Sequence, residues 1–223
     1  MSDHQNSKET LLVNFFAGPG AGKTTCAWEV AAELKKTGVV AEYVPEYAKE
    51  LVWDDNLALL DGSFASQTAL FREQKRRIDR LIGKVDVIVT DSPLLLQVAY
   101  IKEQKAEFEA LAASAHDEYN NFNLFINRGK SFEKEGRIHD LKASQAVDAS
   151  VKDILHRNEA YFGNYYHQTV PVVGQNILTT LLRLQSRGKS PMQRLQQAQN
   201  LQGRRDSAAK SGASHRKIQG EER

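Results

Sequence analysis

The chain has 223 residues, 41% of them hydrophobic and 26% charged, with a formal net charge of +2; that supports one well-buried globular core with room for a lid or a tail. Its single cysteine, Cys26, excludes an internal disulfide and fits a reducing compartment. The polar start MSDHQNSKET lacks the apolar core of a signal peptide, and no apolar run approaches the roughly 18 residues of a membrane helix, so the expectation is a cytoplasmic protein without membrane contact.

After a flexible N-terminus over 1–10, the unbroken apolar run LLVNFFA at 11–17 reads as a strand buried on both faces of a parallel sheet. Helical spacing of Cys26, Val30 and Leu34 predicts a helix over 23–36, closed by Gly38. The β-branched run VVAEYV at 39–44 predicts a second strand stopping at Pro45. Strand, helix and strand in this order argue for a βαβ unit. A helix over 63–82 follows, with Phe64, Phe71, Ile78 and Leu81 or Ile82 as its stripe. Then come a strand at 85–90 (VDVIVT) ending at Asp91 and another at 122–127 (FNLFIN) ending at Arg128. The polar stretch 129–139 is too hydrophilic for core. Leu141, Val147, Val151, Ile154 and Tyr161 mark an amphipathic helix, TVPVVG at 169–174 is expected as an edge strand because Pro171 cannot donate to a ladder, and a last helix runs over about 175–187. From Arg187 onward nine basic residues face three acidic ones. That leaves a mildly acidic body, 11–186, with a basic tail at 187–223 that is expected to be disordered or only transiently helical.

The most informative motif is AGPGAGKT at 17–24, which matches the phosphate-binding P-loop with Ala17 where glycine is commoner. Glycines let successive backbone N–H groups turn inward around phosphate oxygens, and the helix starting near Gly22 presents its positive end to them. Gly18, Pro19, Gly20, Ala21, Gly22, Lys23, Thr24 and Thr25 then form a nucleotide cradle. Lys23 reaches the β and γ phosphates, and the Thr24 hydroxyl is placed to ligate Mg²⁺. Its position between a predicted buried strand and a predicted helix separates the motif from a chance glycine turn.

Asp91 is delivered to the carboxyl end of its strand, where a carboxylate holds Mg²⁺ or activates the attacking group; the plainer alternative is a cap for the turn at Ser92 and Pro93. Glu46, in VPEYAKE, stands just past the second strand at the same edge, as an acceptor-side base or as a solvated loop charge. Gln67 and Gln74 fall three residues after Phe64 and Phe71 on a face expected to be buried. Each either bonds nearby backbone or lines a pocket and reads a polar substrate. In NRGKSFEKEGR, Arg128 and Arg137 are placed to close over a triphosphate as a lid over about 128–140, whereas Lys130 and Lys134 read as surface charges.

With these motifs together, residues 11–184 resemble the AAA-domain P-loop proteins that include nicotinamide riboside kinase, many of them phage-encoded, and are more distantly similar to deoxynucleoside and nucleoside monophosphate kinases. The resemblance implies an α/β, Rossmann-like three-layer αβα fold with a five-stranded parallel sheet, ATP and Mg²⁺, and an arginine-bearing lid. It assigns the phosphate loop to Gly22, Lys23 and Thr24, the acidic strand end to Asp91, the acceptor-side carboxylate to Glu46 and the lid to Arg128 and Arg137. No Asn-Lys-x-Asp guanine reader occurs, which favours ATP over GTP. The expected function is phosphoryl transfer to a nucleoside, nucleotide or related ribosyl small molecule. The alternatives are a nucleic-acid-associated ATPase or kinase using the basic tail for non-specific backbone contacts, against a merely solubilising tail, and a nucleotide-binding switch that hydrolyses ATP slowly.

Overall fold

Six consecutive buried residues form the central strand β1 (Leu11–Phe16) of the computed structural model, which describes residues 9–128, 141–166 and 170–186. The other strands are β2 (Ala41–Val44), β3 (Val87–Thr90), β4 (Asn120–Ile126) and β5 (Phe162–Tyr165), and they form one sheet in the order β2-β3-β1-β4-β5. Every pairing is parallel: Leu11 lies opposite Val87 on one side and Asn120 on the other, Ala41 opposite Val87, and Asn123 opposite Phe162.

Pleating sends alternate residues to opposite faces, and each face buries its own apolar layer. Leu11, Val13 and Phe15 pack with Cys26, Val30 and Leu34 of α1 (Lys23–Lys36) and with Ile177 and Leu181 of α6 (Val170–Gln185). Leu12 and Phe16 pack on the other side with Phe71 and Ile78 of α3 (Phe64–Asp79), Phe108 of α4 (Lys105–Asp117), and Val151 and Ile154 of α5 (Leu141–Arg157). The result is the expected three-layer αβα fold. Asn14 also faces this second layer, where its amide donates to the side-chain oxygens of Asn121 at 2.8 Å and Asn123 at 2.9 Å; those bonds make a buried amide tolerable between apolar neighbours.

The first four strands and the helices α1, α3 and α5 stand close to their expected places, with Ser63 outside α3 as its N-cap, accepting from the Ser66 amide. The C-terminal third differs. Residues 170–174, within the segment expected as an edge strand, form the first turn of α6, and the fifth strand is the short β5. Pro171 explains the ambiguity: it cannot donate to a sheet, but the first turn of a helix needs no donor from it. The last helix therefore starts earlier than expected. Two further helices, α2 (Tyr47–Trp53) and α4, and a 3-10 segment at Leu94–Ala99, occupy stretches with no expected element. Residues 1–8, positions 129–140 of the segment expected as a lid over about 128–140, with Arg137, Lys130 and Lys134, residues 167–169 with the first residue of the expected edge strand, and the expected tail 187–223 lie outside the described residues.

Candidate functional site

Strand order decides which residues meet. β3 lies between β2 and β1, and β4 flanks β1 on the other side, so the carboxyl ends present Glu46, Asp91, the phosphate loop and Arg128 in a row. With strands about 4.8 Å apart, the row from Glu46 to Arg128 spans only ~15 Å. Ligands of open α/β sheets bind along this edge.

The loop leaves β1 at Ala17 and turns through Gly20 and Gly22, whose φ angles of 77° and 86° lie in the left-handed region that favours glycine. Gly22 caps α1 without a side-chain hydrogen bond, and the first turn of α1 contains no acidic residue. The positive end of a 14-residue helix therefore receives no side-chain anion from its own sequence, the condition that favours a bound phosphate. Lys23 folds back over the loop, its Nζ donating to the Gly18 carbonyl at 3.2 Å.

Thr24 and Asp91 are in direct contact: the Thr24 hydroxyl donates to Asp91 Oδ2 at 2.6 Å. Asp91 is 1% exposed, and its Oδ1 is buried with no hydrogen-bond partner. A buried carboxylate oxygen left unpaired costs about 1–3 kcal/mol or more, which a cation beside it would offset. Magnesium is commonly held by one or two protein groups plus substrate phosphates and waters rather than by a protein cage. Thr24 and Asp91 thus fit a Mg²⁺ that arrives with a nucleotide. The competing expectation, that Asp91 caps the following turn, finds no support in the observed bonds, because the Ser92 amide donates instead to Thr90 Oγ1 at 3.1 Å.

Glu46 directly precedes α2 and acts electrostatically on two tyrosines. Burial first, then the Asp91 carboxylate and Glu46, raise the Tyr43 phenol above its ordinary value of 10.0. Burial, then Glu46 and Asp148, raise that of Tyr100. Both phenols therefore stay protonated near neutrality and can donate hydrogen bonds.

The two glutamines have different surroundings. Gln74 is 1% exposed and bonds backbone at both ends of its amide: Oε1 accepts from the Tyr47 amide at 3.0 Å and Nε2 donates to the Pro45 carbonyl at 3.2 Å. It ties the backbone on both sides of Glu46, which is the backbone-bonding one of the two readings offered for it. Gln67 reaches the Gln97 carbonyl at 3.4 Å, through a loose contact in the interior.

Arg128 is drawn onto the loop by partners with no signal in the sequence. Its guanidinium pairs with Asp148 of α5, donates to the Pro19 carbonyl at 3.0 Å and contacts Ser144. The Asp148 carboxylate in turn accepts from the Gly18 amide at 2.6 Å. Ser144 and Asp148 are one helical turn apart on α5. Sequence reasoning finds only the apolar stripe of that helix; the small polar Ser144, 0% exposed, is the available hint that one face meets backbone.

The AAA domain family matches residues 12–172. Two curated proteins, each called Protein RecA, share part of the chain. That of a Nitratiruptor species is 34% identical over 110 residues, covering 47% of this chain and 30% of its own. That of Methylococcus capsulatus is 33% identical over 109 residues, with the same coverages of 47% and 30%; the match thus reaches less than a third of either relative. Among solved structures, the NadR protein in complex with NR superposes with a TM-score of 0.59 at 14% identity, over 76% of this chain and 51% of that one. The APS kinase CysC of Mycobacterium tuberculosis, in complex with AMPPNP and APS, gives 0.45 at 17% identity, over 78% and 98%. The first likeness concerns the fold alone, a parallel αβα architecture built on a P-loop, and the second is too distant to add to it.

Proposed function

The chain belongs to the AAA-domain family, and from that premise we propose that it is an ATP- and Mg²⁺-dependent kinase, which transfers the γ-phosphoryl group to a hydroxyl or phosphate oxygen of a nucleoside, nucleotide or related ribosyl small molecule. The observation that most supports this is the Thr24–Asp91 contact beside the N-terminus of α1, where Gly22 offers no side-chain cap: a hydroxyl and a carboxylate stand together where a magnesium-bound phosphate would need them.

In this reading Gly18 to Thr25 cradle the phosphates, Lys23 turns from the Gly18 carbonyl to the β and γ oxygens, and Thr24 with Asp91 holds Mg²⁺. The metal supplies charge neutralisation on the phosphates when bound. Tyr43 and Tyr100 orient the acceptor by donating hydrogen bonds, and Glu46 takes the proton of an acceptor hydroxyl as its oxygen bonds to phosphorus and ADP leaves. Arg128, with Arg137 as the second arginine expected from the sequence, stabilises charge on the phosphoryl in flight. The fold of the NadR protein solved with NR is consistent with a small ribosyl acceptor. A mass-spectrometric screen of nucleosides, nucleotides and ribosyl metabolites incubated with ATP and Mg²⁺, with Lys23→Ala as control, tests the reading. A phosphorylated product made only by the unaltered chain is expected, and a broad panel left unmodified would count against it.

A second reading, a nucleic-acid-associated ATPase, draws on the partial likeness to RecA and on the basic tail. DNA binding compared across a salt series between the full chain and one ending at Ser186 separates the two; equal affinities would remove the tail from any such role.

A further inference from the structure

The loop is held from outside as well as shaped from within. Gly18 donates its amide to Asp148 at 2.6 Å, and the Pro19 carbonyl accepts from Arg128 and Ser144. The packing is so close that a Cβ on Gly18 would lie 2.5 Å from the Ser144 carbonyl oxygen and 3.1 Å from Asp148 Oδ1. Helix α5 therefore forms an outer wall to residues 18 and 19.

Arg128 is part of the same wall. Its Nε and Nη2 both engage Asp148, Nη2 at 3.1 Å from Oδ1, and Nη2 also reaches the Ser144 carbonyl at 3.3 Å. A planar guanidinium gripped through two of its three nitrogens has the direction of the third fixed. That third nitrogen, Nη1, is buried and has no hydrogen-bond partner. Leaving such a donor unpaired is unfavourable, and an oxygen of an anionic ligand in the adjoining loop would satisfy it. The pair also borders the acceptor side, since Tyr100 feels Glu46, Asp148 and Arg128 together.

We propose that Asp148 is a positioning residue for phosphoryl transfer: through its ion pair with Arg128 and its hydrogen bond from the Gly18 amide, it holds guanidinium and phosphate loop as one unit, with Nη1 presented to an oxygen of the transferring phosphoryl. This rests on the kinase reading above. Asp148 itself touches no substrate, and its effect passes through Arg128.

The test is a double-mutant cycle in the full chain with Arg128→Ala, Asp148→Asn and both together, plus Asp148→Glu as the charge-preserving variant. Single-turnover ATP hydrolysis, Mg²⁺-dependent ATP binding by calorimetry and melting temperature are read for each. Arg128→Ala and Asp148→Asn are each expected to slow turnover by about 10- to 100-fold, with ATP affinity changed less than about threefold. The double variant should be no slower than Arg128→Ala alone, because the two residues act as a unit, and Asp148→Glu should recover part of the rate. An Asp148→Asn rate within about twofold of the unaltered chain would overturn the proposal. So would losses that multiply in the double variant, or a loss that follows melting temperature alone. An unaltered chain that binds no ATP would sink the kinase reading and this inference with it, whereas a binding, hydrolysing chain indifferent to Asp148 sinks the inference alone.

Discussion

Lys23 and Gly18 have separable jobs. The Lys23 ammonium donates to the Gly18 carbonyl, 3.2 Å away, and the residue is half-buried at a helix start, so Lys23→Ala removes charge from the loop while leaving the apolar core untouched. Turnover should fall by at least about 100-fold with a melting temperature near that of the unaltered chain; an unchanged rate in a steady-state assay would place the triphosphate elsewhere. Gly18→Ala works through packing instead. Its Cβ would collide with the Ser144 carbonyl at 2.5 Å, so α5 or the loop must shift, at about 1–3 kcal/mol. Thermal melting should show that loss, together with weaker ATP binding, and a variant that melts and binds like the unaltered chain would contradict the closeness of α5 to the loop.

At the scale of elements, α3 steadies α2 and with it Glu46. Arg77 forks onto Glu50 at 2.6 and 2.7 Å and lies 4.5 Å from the Tyr47 ring centroid, while Gln74 ties the backbone on both sides of Glu46. Gln74→Leu leaves the Pro45 carbonyl and Tyr47 amide without that partner, which should cost about 1–3 kcal/mol. It should also raise the KM of the acceptor while leaving that of ATP nearly unchanged, because the phosphate loop lies two strands away; equal changes in both constants would argue that the bracket does not govern the acceptor side. How much of this is legible in the sequence follows the range of the interactions. The phosphate loop, Asp91 and Glu46 sit where strands end, and local pattern finds strand ends. Residues 170–174 mislead because an apolar run of five with a proline suits an edge strand as well as a helix start, and periodicity cannot separate them at that length. Helix α4, with its many alanines, lacks a strong stripe. Asp148 is invisible because its partners, Gly18 and Arg128, are 130 and 20 residues away, and only the fold brings them together.

Over the whole molecule, titration should narrow stability from both ends. Burial pushes the Cys26 thiol up from 9.0 to about 12; unfolding releases it, so its contribution is complete below pH 9 and is lost as pH rises toward 12. The raised phenols of Tyr43, Tyr100 and Tyr165, from 10.0, act in the same direction. At the acid end, Arg76 and Arg77 hold Glu73 down at about 2, and burial lowers His116 below 6.5. The His116 contribution is therefore present above pH 6.5 and declines below it, and that of Glu73 is present above 4.5 and is lost as pH falls toward 2. Melting temperatures should be highest between about pH 7 and 9, and a profile still rising at pH 11 would contradict the burial of these groups. The same interior keeps Cys26 from thiol reagents at pH 8 until the chain unfolds. No helix among the described residues is long and apolar enough to cross a membrane. The central claim, that the segment from Ala17 to Thr25 with Asp91 holds a magnesium nucleoside triphosphate, is tested most directly by calorimetric titration of the full chain with ATP, with and without Mg²⁺. One site per chain, dependent on the metal and abolished in Lys23→Ala, is the predicted result; no heat of binding, or binding indifferent to both magnesium and Lys23, would contradict it.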